Sequence, residues 1–126
     1  KSLMEVQCVR WAIERITDEE LETLEEIFEF MEFYTISNDL EKMVRINQGF
    51  DTVIYSASHN REIEATLHRY NFYIKYANAQ LRYPINYLPT VLEEHRAIYQ
   101  AFRDRDPEAG AAATEIHMMK SIIRRK

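Results

Sequence analysis

Glycine and proline are scarce in this sequence, with two and three residues respectively in the whole chain. Sheet proteins use both at their many turns, whereas helices joined by short connections need few of them. Cys8 is the single cysteine, so no disulfide can form within the chain, which favours the cytoplasm. No apolar run approaches the about 20 residues of a membrane-spanning helix, and no signal-peptide pattern is present. We therefore expect an all-α protein with no membrane partner.

An excess of basic residues is also missing. The chain carries 16 Lys and Arg against 21 Asp and Glu, a formal net charge of −5, whereas surfaces that bind nucleic acids concentrate Lys and Arg on one face. We interpret the only basic run, Arg124-Arg125-Lys126, as helix-end charge and a fraying tail. This segment is therefore not expected to bind DNA itself. Its length and its 46% of apolar residues predict one domain with a sizeable core.

Apolar residues recur at three- and four-residue intervals in six segments, which predicts six helices. The first, from about Leu3 to Arg15, is apolar nearly all round and should be deeply buried. Thr17 and Glu20 form a capping-box pattern before the second helix. The sixth helix is predicted to bury a line that ends with Ile116, Met119 and Ile123. The starts predicted for the third to sixth helices lie at Ser37-Asn38-Asp39, Asn60, Pro89 or Thr90, and Asp106-Pro107.

Polar residues interrupt the apolar lines of three helices. Asn47 and Asp51 are four residues apart, so both lie on the apolar face of the third helix. His95 and His117 lie on the corresponding lines of the fifth and sixth helices. Burying an ionised carboxylate is costly unless it is paired or coordinates a metal, so Asp51 requires a partner. A cation bound together with the two imidazoles would meet that requirement.

A structural role for these polar residues is the alternative. A single His on an apolar face is more often a core residue with satisfied hydrogen bonds than a metal ligand, and Asp51 could simply bond to His95. His59, in a turn, and His68, off the apolar line of the fourth helix, are expected at the surface. Most aromatic residues are assigned to the core. The hydroxyls of three of them could also line a cavity, namely Tyr70, Tyr73 and Tyr99.

Short motifs along nearly the whole chain occur in one order. They are Met4-Glu5, Trp11-Ala12, Arg15 to Leu21, Asn47-Gln48-Gly49-Phe50-Asp51, Ser58-His59-Asn60, Glu94-His95-Arg96-Ala97-Ile98, and Asp106-Pro107-Glu108-Ala109 followed by His117. Together they resemble the ligand-sensing C-terminal domain of the FadR subfamily of GntR transcription regulators. The resemblance implies an antiparallel bundle of about six helices around a central ligand cavity. Residues 1–126 would then form a single sensing domain.

The resemblance also implies a metal site. In that family one Asp and three His bind a divalent metal such as zinc, nickel or manganese, to which a small organic acid often coordinates. The corresponding residues here are Asn47, Asp51, His95 and His117, so the sequence departs from the pattern at the first two. One carboxylate remains, but two nitrogen and two oxygen donors favour a harder cation than zinc or nickel. Beyond these four residues the sequence does not indicate which groups contact an effector.

The resemblance implies a regulator and not an enzyme. A winged helix-turn-helix domain is expected to precede this segment and to bind operator DNA, and the intact protein is expected to be a homodimer. The family's effector-contacting arginine would fall at about Lys1, and we assign Lys1 no such role. Two alternatives remain open at this point. Asp51, His95 and His117 could form the two-His-one-carboxylate centre of a metal-dependent enzyme, or the bundle could be a purely structural dimerisation module.

Overall fold

Six helices occupy the part of the chain that the computed structural model describes, which is residues 2–77 and 83–124, with the side chains of residues 3–71 and 83–124. The helices are α1 (Ser2–Arg15), α2 (Asp18–Ile36), α3 (Leu40–Ala57), α4 (Arg61–Ala77), α5 (Tyr87–Arg103) and α6 (Pro107–Arg124). The predicted all-α bundle is therefore confirmed. Over the described ranges, no helix is both long and apolar enough to cross a membrane.

Side-chain caps start four of the helices where the sequence predicts them. Thr17 and Glu20 form the predicted capping box of α2, with the Thr17 hydroxyl accepting from Glu20 N at 3.1 Å and Thr17 N donating to Glu20 Oε1 at 2.9 Å. Asp39, Asn60 and Asp106 each accept a hydrogen bond from the backbone N–H three residues later, at 3.1 Å. These bonds satisfy backbone donors that a helix leaves free at its start.

Helix α5 begins at Tyr87, two residues before Pro89, whereas the sequence predicts a start near Pro89 or Thr90. The Tyr87 N–H donates to Pro84 O at 3.0 Å and closes a turn that leads into the helix. Pro89 then lies in the first turn, where its missing N–H breaks no helical hydrogen bond. Leu88 is buried, so the additional residues also contribute to the core.

Helix α1 lies in the centre of the bundle, as its apolar sequence predicts. It packs mainly against α6 and α3, while α2 packs against α3 and α5, and α5 packs against α6. Cys8, Ala12 and Ile13 are almost completely excluded from solvent. The core that surrounds them includes Leu24, Phe28, Met31, Met43, Phe50, Ile54, Tyr55, Leu67, Val91, Ile98 and Phe102.

Helix α6 does not bury the predicted apolar line. Ile116, Met119 and Ile123 are 47%, 56% and 63% exposed, and the face turned towards the core carries Gly110, Ala111 and Thr114. The physical reason is the close approach of α1: a Cβ atom at Gly110 would overlap the Ile13 side chain and lie 3.1 Å from Val9 Cγ1. Only small residues fit along this contact, so the larger apolar side chains face outwards.

Candidate functional site

Two of the predicted site residues, His95 on α5 and His117 on α6, lie side by side inside the bundle. Their ring centroids are 4.6 Å apart, with the planes at 68°. His95 is only 1% exposed, and the edge of its ring meets Phe50 with centroids 5.0 Å apart. The expected convergence of α5 and α6 through their histidines is therefore seen in the structure.

Hydrogen bonds orient both imidazoles. His95 Nδ1 lies 2.8 Å from Val91 O, and a carbonyl can only accept, so Nδ1 carries the hydrogen and the neutral ring has its lone pair on Nε2. His117 Nδ1 donates in the same way to Glu94 Oε1 at 2.6 Å. Metal-bound histidines use this arrangement, since a carbonyl or carboxylate on one nitrogen makes the other a better ligand. The two rings are thus prepared to offer Nε2 as a donor atom.

Glu94 joins His117 to the end of α6. Its side chain is 4% exposed and makes two hydrogen bonds with Arg124, from Nη1 to Oε2 at 2.7 Å and from Nη2 to Oε1 at 2.8 Å. Burial opposes ionisation of Glu94, but the hydrogen bonds from Arg124 and His117 outweigh it and lower the pKa of the carboxyl to about 2. Arg124 is the last residue of α6, so the interpretation as helix-end charge is confirmed for this residue, but its bonds to Glu94 show that it is not part of a fraying tail. Arg125 and Lys126 lie outside the described residues.

His95 is held neutral by its surroundings. Burial lowers the pKa of its imidazole to about 3, and the neighbouring His117 acts in the same direction. At neutral pH the ring therefore carries no charge, and the lone pair on Nε2 is retained.

A cavity of about 100 Å³ lies between α1, α3, α4, α5 and α6, next to this pair of rings. Asp51 and His117 both line it, so the structure brings these two predicted residues to one place. Its other lining residues are Glu5, Val9, Phe50, Ile54, Tyr55, Asn71, Ile98, Thr114, Met118 and Ser121.

Three of the lining residues form a hydrogen-bond chain that crosses the bundle. The side-chain amide of Asn71 donates to the Tyr55 oxygen at 2.6 Å, and the Tyr55 hydroxyl donates to Glu5 Oε1 at 2.6 Å. Burial raises the pKa of Tyr55, and the negative charges of Asp51 and Glu5 raise it further, so the phenol keeps its hydrogen. Glu5 was not among the predicted site residues. The sequence does contain a signal for it, because Glu5 continues the buried line of Cys8, Val9 and Ala12 on α1.

The other two predicted metal ligands, Asn47 and His95, lie near the cavity residues in sequence or space but do not line the cavity itself. Asn47 lies one turn before Asp51 on α3, and its Oδ1 is buried with no hydrogen-bond partner. Neither Asn47 nor His95 is among the residues that line the cavity. Within residues 2–77 and 83–124, no three His, Cys, Asp or Glu side chains lie close enough to hold a metal ion. Metal binding by the predicted set therefore stays a prediction.

The remaining histidines differ from each other. His59 is exposed, as predicted, and lies 3.2 Å from Glu20 Oε1. The surface position predicted for His68 is wrong, because its ring is half-buried and meets the ring of Tyr55 edge to face, with centroids 5.2 Å apart. His68 thus supports the back of the Tyr55 ring, whose hydroxyl faces Glu5.

Of the three tyrosines that the sequence offers for a cavity, Tyr70 and Tyr99 do not line this one. Tyr70 is exposed, and Tyr99 packs against Phe28 with ring centroids 4.9 Å apart. The side chain of Tyr73 lies outside the described part of the chain. Among the side chains that the structure describes, the tyrosine that lines the cavity is Tyr55, which the sequence pattern places in the core without distinguishing its hydroxyl.

A larger groove of about 500 Å³ lies on the outside of the bundle, between α5 and α6. Exposed residues such as Pro89, Glu93 and Ile116 form much of its wall. None of the predicted ligands lines it. The internal cavity is therefore the better candidate for a binding site, because it is more enclosed and is lined by Asp51 and His117.

Comparison with known proteins places this architecture in a family. The family model described as the FCD domain matches residues 1–120. An uncharacterized HTH-type transcriptional regulator of Bacillus subtilis (strain 168), YdhC, is 31% identical over 109 residues, which cover 84% of this chain and 48% of that protein. Among solved structures, Streptococcus agalactiae GntR superposes with a TM-score of 0.81 and 27% identity, covering 95% of this chain and 53% of the other.

A second solved structure, E. coli McbR/YncC, has a TM-score of 0.80 and 21% identity, covering 97% of this chain and 62% of the other, and it supports the fold alone. The chain spans about half the length of the curated relative that it matches. Because residues 1–120 match a domain of transcription regulators, the alternative of a metal-dependent enzyme is excluded. The chain belongs to the FCD domain family, the effector-binding domain of GntR-family transcriptional regulators.

Proposed function

We propose that this domain senses a small-molecule effector in the cavity lined by Asp51 and His117. The single observation that carries the proposal is the combination of enclosed space and unsatisfied polar atoms at the centre of the bundle. Glu5 Oε2 and Thr114 Oγ1 are buried without a hydrogen-bond partner, and both residues line the cavity. Native interiors leave few such atoms unpaired, and a bound ligand is one way to pair them.

The effector acts by shifting the balance between two arrangements of the domain. A ligand can change that balance only by the difference between its affinities for the two states. The polar groups of the cavity come from α1, α3, α4 and α6, and α6 is tied to α5 through Glu94. A ligand that holds these helices in one packing therefore alters the surface that they present. In the whole protein, this change alters the affinity of a winged helix-turn-helix domain, N-terminal to this segment, for operator DNA.

A divalent metal is part of this proposal. His95 and His117 would hold it through Nε2, with Asp51 and Asn47 supplying oxygen atoms. The orientation of both rings and the unpaired Oδ1 of Asn47 support that assignment. When bound, the metal supplies a Lewis-acidic centre to which a donor atom of the effector coordinates. Two nitrogen and two oxygen donors favour manganese over the softer zinc and nickel.

Replacing His117 with Ala is expected to weaken metal binding by at least about tenfold, because the substitution removes an oriented nitrogen donor. The measurement is isothermal titration of chelator-treated protein with manganese chloride and with zinc chloride. His59→Ala is the matched control, since His59 is exposed and does not line the cavity, and this variant should bind as the native protein does. If the native protein binds neither metal, the metal component is wrong, and direct sensing of the effector remains to be tested separately.

Native mass spectrometry tests the sensing proposal itself. After exposure to a mixture of bacterial metabolites, the native protein should retain a small molecule, and Thr114→Met should lose it because the longer side chain fills the cavity. Ala112→Met, on the exposed side of the same helix, should retain it. If Thr114→Met still carries the molecule, the ligand binds elsewhere and the proposed cavity is wrong.

We also propose that the regulator is a homodimer that works in the cytoplasm on a two-fold symmetric operator. Two-fold proteins match two-fold DNA sites, and the bundle leaves apolar side chains on the surface of α6 that a partner would cover. The native mass spectra report the oligomeric state of this domain directly. A mass that stays monomeric at micromolar concentration would contradict dimerisation through this domain.

A further inference from the structure

The positive charge at the end of α6 is held against the bundle and not in open solvent. The Arg124 side chain is only 16% exposed. Besides its two hydrogen bonds with Glu94, the guanidinium donates to Ser121 Oγ at 3.2 Å and lies 5.8 Å from the centre of the Tyr87 ring. A cation in the last turn of a helix favours the helix dipole even when it stays in water, so none of these contacts is needed for that effect. Together, they fix Arg124 in one position against both α5 and α6.

Arg124 in turn fixes the carboxylate of Glu94. That carboxylate accepts three hydrogen bonds, from Arg124 Nη1 to Oε2, from Arg124 Nη2 to Oε1, and from His117 Nδ1 to Oε1. Two parallel bonds from a planar guanidinium set the plane of a carboxylate as well as its position. The oxygen that accepts the hydrogen of His117 is thus one of the two oxygens that Arg124 holds.

The outer groove offers Glu94 another position when the guanidinium is removed. Glu94 is among the residues that line this groove between α5 and α6, and it also contacts His117 in the interior. A buried carboxylate without its cation is costly, and hydration in the groove lowers that cost. Loss of Arg124 therefore favours rotation of the Glu94 side chain towards the groove and away from His117.

The two histidine rings depend on this network to different extents. The acceptor of His95 Nδ1 is Val91 O, a backbone carbonyl of the same helix, and this bond needs no other side chain. The acceptor of His117 Nδ1 is a side chain, Glu94 Oε1. The hydrogen bond at one ring nitrogen decides which nitrogen of a neutral imidazole carries the hydrogen. Without this acceptor, His117 is free to turn or to change its tautomer, whereas His95 is not affected.

We propose that Arg124 is a positioning residue of the internal site, which acts through the Glu94 carboxylate to hold His117 with its lone pair on Nε2. Arg124 itself is not among the residues that line the cavity. The inference rests on the proposed function, because the lone pair matters only when a metal or an effector uses it. It deepens that function by making the end of α6 part of the machinery that prepares the site. Coupling between two sites is reciprocal, so a ligand on His117 also stabilises the contact of Arg124 with Glu94.

The test measures the tautomer of each histidine from its ring nitrogen signals in NMR spectra of chelator-treated protein, at mildly alkaline pH. In the native protein we expect the hydrogen on Nδ1 in both His95 and His117. Arg124→Met should change the tautomer or the mixture of tautomers of His117 only. Arg103→Met is the matched control, because Arg103 lies in the last turn of α5, is exposed and pairs with Glu25 at 3.9 Å. Both rings should keep their native signals in this control.

Manganese binding gives a second readout of the same variants. Loss of a residue that orients a metal ligand typically weakens metal binding by 10-fold or more, so Arg124→Met should bind manganese about tenfold more weakly in isothermal titration. Arg103→Met should bind it as the native protein does. If Arg124→Met is less stable but keeps the native His117 tautomer, Arg124 is a structural ion-pair partner and the positioning role is wrong.

Two further results would also overturn the inference. One is a hydrogen on Nε2 of His117 in the native protein, which decides the matter even if Arg124→Met does not fold. The other is an equal change in His95 and His117, because a general loosening of the bundle affects both rings. A native protein that binds no manganese contradicts the metal component of the proposed function, while the ring spectra still decide the role of Arg124. The failure of one proposal can in this way be told from the failure of the other.

Discussion

Replacing Glu94 with Ala is expected to lower the free energy of unfolding by about 3–5 kcal/mol, because the substitution breaks a buried ion pair on one side only. Arg124 would keep its guanidinium at a position that is 16% exposed, and His117 would lose the acceptor of its Nδ1 hydrogen. The measurement is equilibrium unfolding in urea. Glu93→Ala is the matched control: Glu93 is the adjacent residue but is exposed and pairs with Arg96 at 3.3 Å, so its loss should cost less than about 1 kcal/mol.

A double-mutant cycle with Glu94→Met and Arg124→Met separates two quantities. They are the interaction free energy of the ion pair and the cost of leaving one buried charge without its partner. The variant with both Glu94→Met and Arg124→Met should be more stable than the sum of the two single losses predicts, since neither charge is then left buried alone. If Glu94→Ala costs no more than Glu93→Ala, the Glu94 cluster does not hold α5 and α6 together. The proposal that a ligand in the cavity alters the outer surface through the contact between α5 and α6 would then lose its support.

Acid is expected to destabilise the fold in two steps, and the first depends on His95. The unfolded chain takes up a proton on this imidazole near pH 6.5, whereas the folded protein does so only near its lowered pKa of about 3. The unfolded state therefore binds more protons between these values, and stability falls as the pH falls, by at most about 1.4 kcal/mol per pH unit for one group. Glu94 adds a second step, because its pKa is lowered from 4.5 to about 2 and its contribution is lost below pH 4.5.

The interval from pH 6.5 to pH 4.5 isolates the first step, because Glu94 stays ionised in both states over most of it. Urea unfolding in the presence of a chelator should show a falling free energy across this interval for the native protein and a weaker fall for His95→Gln. An undiminished slope in His95→Gln would mean that another group takes up the proton, and His95 would then not be the neutral imidazole of the site.

Local patterns in the sequence predicted the helices and most of their starts correctly. A cap such as Thr17 with Glu20, or Asp106 before Pro107, acts within one turn, so its partners are visible in the sequence. The first residue of α5 was misplaced because Pro89 resembles a helix start, while the turn that precedes it depends on Tyr87 and Pro84. Boundaries set by such turns are less evident from propensity alone.

The candidate site was only partly predictable. Helical periodicity alone placed Asp51 and His117 on inward faces, and the structure shows both at one cavity. Glu94 was part of a recognised motif, but its bond to Arg124 joins residues 30 positions apart, on two helices. Glu5 and Thr114 were missed because an unpaired atom is a property of the packed interior and is not visible in the order of residues.

The sequence by itself determined that this chain is a bundle of six helices, where those helices are capped, and which family it belongs to, because each of these depends on residue types at short, regular spacing. The tertiary structure alone decided which face of α6 turns inwards, since that depends on how closely α1 can approach Gly110. It also decided that Glu5, Asp51, Thr114 and His117 line one cavity, because its walls come from five helices that only packing brings together.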